Sequence, residues 1–176
     1  MHGADMTLTT NARVAGLTLL FYIAAGIATM VLADWPHATD VISVLTSFAA
    51  LVLGVTFYAL TREQDPDLAL LGLTCRVVES IPGEGTIYFA VGSTIFAWLL
   101  LRGRMIPIAL AWLGVLAGIL LVVFLFVQRA GLFGGAVNWS SPVTWIIWLP
   151  MLVFELTLAL WLLIKGVATP APKQSA

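Results

Sequence analysis

Long apolar segments, broken by short polar stretches, dominate this chain. Four of them contain about 20 or more mostly apolar residues each: Val14–Ala33, Val41–Thr61, Met105–Val127 and Val143–Ile164. A helix needs about 20 such residues to cross about 30 Å of hydrocarbon. The pattern therefore predicts a membrane-spanning helix in each segment.

A fifth apolar stretch, Leu68–Leu101, is too long for one span and short for two. Pro82–Gly85 lies in its middle with the residues of a tight turn, because Pro ends a helix and Gly permits a reversal. We expect two helices, Leu68–Ile81 and Thr86–Leu101. The first would cover only about 21 Å, so its outer end must lie within protein, in thinned bilayer or beside water.

The six predicted helices make an all-α, polytopic membrane bundle that forms a single domain over residues 1–176. The ends, Met1–Ala12 and Ala168–Ala176, are short and polar, and we expect them to be frayed tails. With the N-terminus in the cytoplasm, six of the eight Lys and Arg residues fall inside: Arg13, Arg62, Arg102, Arg104, Lys165 and Lys173. Only Arg129 falls outside, and this positive-inside pattern predicts that both termini are cytoplasmic.

Composition supports this class and excludes others. The chain is 61% apolar and 10% charged, with a mean hydropathy of +1.04 and a net charge of −1. A soluble domain is about 25% charged, and a nucleic-acid-binding protein needs a clustered basic surface. One cysteine excludes a disulfide framework and a cysteine-based metal site.

Three charged residues lie inside predicted spans: Arg76, Glu79 and Glu155. Helix rise places Arg76 and Glu155 at similar depths, about 12 and 15 Å from the inner edge, with Glu79 one turn beyond Arg76. Charges at such depth usually face a partner or water. Arg76 could bridge both carboxylates and fasten the third helix to the sixth. Alternatively, the three groups line a polar cavity, where the excess carboxylate carries a proton or meets a cation.

Hydroxyl groups reach comparable depths at Tyr22, Tyr88 and Thr94, which we name with Arg76, Glu79 and Glu155 as candidate ligand-binding residues. A hydroxyl at each position could also bond only to its own helix. We find no H-E-x-x-H, G-x-S-x-G or phosphate-cradling glycine loop. The sequence therefore favours a protein that is not an enzyme, with no catalytic residue, metal or cofactor assigned.

Two other features concern contacts. Gly114 and Gly118 have the small-residue spacing of close helix packing, which would suit a homo-oligomer. The connection Gln128–Pro142 is rich in glycine and carries several apolar residues. We expect either a loop on the outer membrane surface or a cover over a cavity.

Several segments resemble a bacterial membrane family known as domain of unknown function 4386. The similar segments, which together extend over nearly the whole chain, are Arg13–Gly16, Leu68–Leu71 leading to Arg76 and Glu79, Arg102–Gly118 and Phe154–Val167. The resemblance implies a six-helix integral membrane protein and suggests that Arg76 and Glu155 match the family's arginine and glutamate. Many members have a long connection between the third and fourth helices, where this chain has only Pro82–Gly85.

The leading hypothesis is an integral protein of the bacterial cytoplasmic membrane that holds a lipid-like or amphipathic molecule. Its cavity would lie between the third, fourth and sixth helices, with Arg76 and Glu155 at the polar end. The expected partners are membrane lipids, the lipid-like ligand and a second copy of the chain, and not nucleic acid. The alternatives are a small proton-coupled carrier, an intramembrane enzyme that acts on a lipid head group with a carboxylate as base, and a structural or regulatory partner of a larger membrane complex.

Overall fold

The computed structural model describes residues 2–81, 85–132, 139 and 141–168, with side chains from residue 7 onward. This part of the chain forms six α-helices. They are α1 (His2–Val31), α2 (Pro36–Thr61), α3 (Pro66–Glu79), α4 (Gly85–Arg102), α5 (Ile108–Arg129) and α6 (Pro142–Ile164). The all-α prediction is confirmed, and five of the six helices are long and apolar enough to cross a membrane. The exception is α3, which has 14 residues.

Local sequence explains where the helices begin. Prolines occupy the first positions of α2, α3 and α6, where a helix has no need of the missing N–H. Asp65 caps α3 by accepting a hydrogen bond from the backbone N–H of Leu68 at 3.2 Å. Residues 82–84 of the predicted turn lie outside the described part, and α4 begins at Gly85.

The prediction of a frayed N-terminal tail is wrong. Helix α1 extends back to His2, and Ala12 is completely buried. Ala12, Ala15, Leu19 and Ile23 recur at three- and four-residue intervals and belong to the core, so the apolar face continues into the stretch that looked polar. Of the expected C-terminal tail, residues 169–176 lie outside the described part.

The helices form a closed ring. Each packs against the next along the chain, and α6 returns to pack against α1. Apolar residues from all six helices, among them Leu19, Leu53, Phe96, Leu121 and Leu162, fill the interior. Many large apolar side chains remain exposed on the outside, including Leu17, Phe48, Leu116 and Ile146. A soluble monomer rarely exposes so much apolar surface, and this surface indicates a multi-pass membrane protein.

Gly114 and Gly118 serve packing within the chain. A Cβ atom at Gly114 would collide with the ring of Phe154 in α6, and one at Gly118 with Thr94 in α4. The small-residue spacing that suggested a homo-oligomer therefore lets α5 approach its own neighbours.

The short length of α3 determines the shape of the ring's interior. Helix α3 ends at Glu79, whose side chain meets Tyr22 of α1. Beyond Tyr22, α1 continues to Val31, about 13 Å further along its axis. The first half of α6 likewise lies beyond Glu155. At this end of the molecule the ring lacks the wall that a longer α3 would supply.

Candidate functional site

Arg76 is buried in the ring interior because two neighbouring helices carry glycine beside it. It is 2% exposed. A Cβ atom at Gly54 of α2 would lie 2.9 Å from Cβ of Arg76, and one at Gly92 of α4 would lie 3.1 Å from Cβ of the adjacent Cys75. Both distances are too short for ordinary packing. The glycines therefore let α3 sit deep enough for its arginine to reach the interior.

The guanidinium group of Arg76 is held on several sides. Nη1 forms an ion pair with Oε2 of Glu79 at 3.0 Å, and Nη2 donates to Oγ of Ser93 at 2.8 Å. Cζ lies 5.1 Å from the centre of the Phe89 ring, within cation–π range. Nε is buried with no acceptor among the described residues.

Glu79 connects α3 to α1 across the interior. Its side chain is 5% exposed, and its Oε1 accepts a hydrogen bond from the hydroxyl of Tyr22 at 2.5 Å. Helices α1 and α3 are not neighbours in the ring, so this bond spans its centre. Glu79 thus has a charged partner and a hydroxyl donor, which satisfies a buried carboxylate.

Glu155 is buried without such partners. It is 6% exposed, and within the described part of the chain it forms no ion pair or hydrogen bond through its side chain. The expected bridge from Arg76 to Glu155 is therefore absent, and only the pair with Glu79 forms. Glu155, Arg76 and Ser93 instead surround a small cavity of about 10 Å³, close to the size needed for one water molecule.

A larger cavity of about 390 Å³ lies on the other side of Glu155. Its walls come mainly from α1, α4 and α6, with Tyr22, Glu79 and Glu155 at one end. The prediction named the third, fourth and sixth helices. Helix α1 takes the place of α3 because α3 ends at Glu79 and contributes only that residue to the lining.

Stacked aromatic rings line one side of this cavity. Phe89 stacks between Tyr22 and Trp148, with ring centres 6.1 and 5.8 Å away. The ring centres of Trp148 and Trp139 are 5.2 Å apart. The backbone carbonyl oxygen of Trp139 accepts a hydrogen bond from Nε1 of Trp145 at 2.8 Å. Of the connection Gln128–Pro142, Trp139 therefore contributes to the lining, and residues 133–138 and 140 lie outside the described part.

The structure brings together four of the six candidate residues. Arg76, Glu79 and Tyr22 are in contact, and Glu155 shares a cavity with each of them.

The other two candidates lie elsewhere. Tyr88 is 38% exposed, and the hydroxyl of Thr94 donates to the carbonyl oxygen of Ala90 at 2.7 Å, beside α5.

The sequence did not select Ser93 over Thr94 or identify Phe89 and Trp148. Neighbouring helical residues point about 100° apart, so a small error in helix rotation exchanges them. The four-residue spacing of Phe89 and Ser93 on one helical face is a signal that could have paired them.

No cluster of three metal-ligating side chains occurs among the described residues. The arrangement instead combines an apolar cavity, an aromatic wall and a carboxylate that lacks a donor.

Residues 83–166 match the model of a family described as "Domain of unknown function (DUF4386)". The resemblance noted from the sequence is confirmed over this range, which includes Glu155. The similar segments before residue 83, including Arg76, lie outside it. No curated protein and no solved structure matches the chain.

Replacing Arg76 with Met should leave Glu79 as a buried charge without a counter-charge. Removing one partner of a buried pair costs about 3–5 kcal/mol. We expect Arg76→Met to lower the free energy of unfolding in detergent by about that amount, and the double variant Arg76→Met/Glu79→Gln to recover much of it.

The matched control is Arg102→Met, which breaks the exposed pair between Arg102 and Asp65 and should cost less than about 1 kcal/mol. Equal losses for Arg76→Met and Arg102→Met would contradict the buried pair's structural role.

Proposed function

We propose that this protein binds an amphipathic, lipid-like molecule in the cavity between α1, α4 and α6. The observation that carries this proposal is a cavity of about 390 Å³ with largely apolar walls and polar side chains at one end. Sites for small molecules and cofactors are typically about 300–1,000 Å³ and combine apolar walls with a few polar groups.

The lining suits a molecule with two unlike ends. Ile23 and Ile27 of α1 face the cavity together with Leu149 and Leu152 of α6, and these side chains would pack against a hydrocarbon portion. The polar end would lie against Tyr22, Glu79 and Glu155. Membrane lipids are an abundant source of such molecules for a protein whose outer surface is itself apolar.

A phenylalanine at Gly26 should fill the cavity. Gly26 lines it, and a Cβ atom there would have nothing within 4 Å. We expect native mass spectrometry from mild detergent to detect a bound amphipathic molecule on the wild-type protein and to detect none on Gly26→Phe.

The control for this substitution is Ala24→Phe, which places the same side chain on the exposed face of α1 and should retain the bound molecule. An unoccupied wild-type protein, or equal occupancy of Gly26→Phe and Ala24→Phe, would contradict the proposal.

The proposed arrangement in the bacterial cytoplasmic membrane has six helices within the bilayer, α3 only partly crossing, and both termini in the cytoplasm. It is supported by the distribution of Lys and Arg and by five helices with the length and hydropathy of membrane spans. A partial span at α3 is tolerated because the side chains of Arg76 and Glu79 are buried in the ring interior rather than exposed to lipid.

Cysteine labelling in intact bacterial cells tests this topology. Asp34→Cys should react with a membrane-impermeant maleimide, whereas Arg13→Cys and Lys165→Cys should react only after the membrane is opened. Cys75 is buried and should remain unlabelled. Reaction of Lys165→Cys in intact cells would overturn the six-span topology.

A proton-coupled carrier is the second candidate function, because a buried carboxyl without a partner is a typical proton site in transporters. For this candidate we expect protons to enter proteoliposomes that contain the wild-type protein under a pH gradient. Glu155→Gln should abolish this proton movement, and the control Glu63→Gln, at an exposed position, should leave it unchanged. Equal proton flux for wild type and Glu155→Gln would exclude this candidate.

A further inference from the structure

The cavity floor has an unbalanced charge. Arg76 supplies one positive charge, and Glu79 and Glu155 supply two carboxyl groups. Nη1 of Arg76 forms an ion pair with Glu79, and Nη2 donates a hydrogen bond to Ser93. With both of these guanidinium nitrogens engaged, Glu155 has no counter-charge in contact within the described structure. A buried carboxylate in this state is costly unless a cation or a proton joins it.

Basic side chains do not contribute to the described lining of the larger cavity. Neither Lys, Arg nor His is among its residues, whereas Glu79 and Glu155 both are. A ligand with a net negative charge entering this space would find no positive side chain in the described lining to pair with it, and the unpaired Glu155 would repel it. The charge pattern thus disfavours an anionic head group.

The aromatic wall favours the opposite charge. Phe89, Trp145 and Trp148 line the cavity, and the negative faces of aromatic rings attract cations, most strongly in tryptophan. Phe89 already makes this kind of contact with Arg76, at 5.1 Å from its ring centre. Trp148 lies seven residues before Glu155 on α6, about 10 Å along the helix axis, so the tryptophans line the cavity beyond the carboxyl group rather than surround it.

We infer that the ligand of this cavity is an amphipathic cation whose ammonium group lies at Glu155 and whose hydrocarbon part lies between α1 and α6. This inference rests on the proposed binding function and specifies its ligand class. The amine of a lipid head group and a free alkylamine share this chemistry.

Isothermal titration in an uncharged detergent can separate charge from hydrocarbon. Three probes of equal chain length differ only at the head: decylammonium, decanol and decanoate. We expect the wild-type protein to bind decylammonium about 10- to 100-fold more tightly than decanol, as a charge-assisted hydrogen bond allows, and to bind decanoate most weakly.

The Glu155→Gln variant should bind decylammonium and decanol equally, because the amide retains the shape and loses the charge. Glu155→Asp, which keeps the carboxylate, should retain a preference for decylammonium, and so should the exposed control Glu63→Gln. If Glu155→Gln fails to fold, the comparison between probes in the wild-type protein and in Glu155→Asp still decides the outcome.

A fourth probe, dihexanoylphosphatidylethanolamine, identifies the source of the amine. Binding that depends on Glu155 assigns the site to a lipid head group. Binding of decylammonium alone assigns it to a free amine, and either result supports the inference.

Two results would overturn the inference. One is equal affinity for decylammonium and decanol in the wild-type protein, and the other is a preference for decylammonium that persists in Glu155→Gln. Either would overturn the inference that the ligand is a cation bound at Glu155, while the proposed binding of an amphiphile would stand. Failure of every probe to bind would overturn both proposals together.

Discussion

The structure depends on how the chain accommodates one buried guanidinium group. Arg76 lies in the interior of an apolar helical ring, where an unpaired charge is strongly disfavoured. Glu79, one turn later on α3, supplies the counter-charge at 3.0 Å, and Ser93 supplies a second acceptor. Tyr22 then ties this pair to α1 across the ring. Gly54 of α2 and Gly92 of α4 let α3 pack closely against both helices, and this close packing brings the pair into the interior.

The cavity follows from where α3 ends. Helix α3 ends at Glu79, the residue that pairs with Arg76. Helices α1, α4 and α6 enclose the space beyond this end. Stacked aromatic rings support one wall of this space, and its floor carries Glu155, which has no ion pair or hydrogen bond with the described side chains. Arg76 pairs with Glu79 and donates to Ser93. Glu155 has no ion pair in the described structure and is therefore available to a ligand or a proton.

Sequence patterns predicted the helices well, because span length and turn residues are local properties. They also identified Arg76, Glu79 and Glu155 as neighbours, because helix rise places them at comparable depths. Depth carries no information about rotation, and this explains why Thr94 was named instead of Ser93. Of α1 only Tyr22 was assigned to the cavity, because the packing of α1 beside α6 is a tertiary contact that no local pattern specifies. Which of the two carboxylates pairs with Arg76 depends on distances of a few ångströms between helices, and no local pattern specifies these distances. The buried face of α1 near Ala12 was missed because polar residues surround it.

An experimental structure of the purified protein in lipid nanodiscs, at a resolution that shows side chains, would test directly how Arg76 and Glu155 are paired. We expect an elongated non-protein molecule between α1, α4 and α6, with its polar end in hydrogen-bonding contact with Glu155 and with Arg76 paired to Glu79. A direct ion pair between Arg76 and Glu155, with the cavity filled by the protein's own side chains, would contradict this expectation.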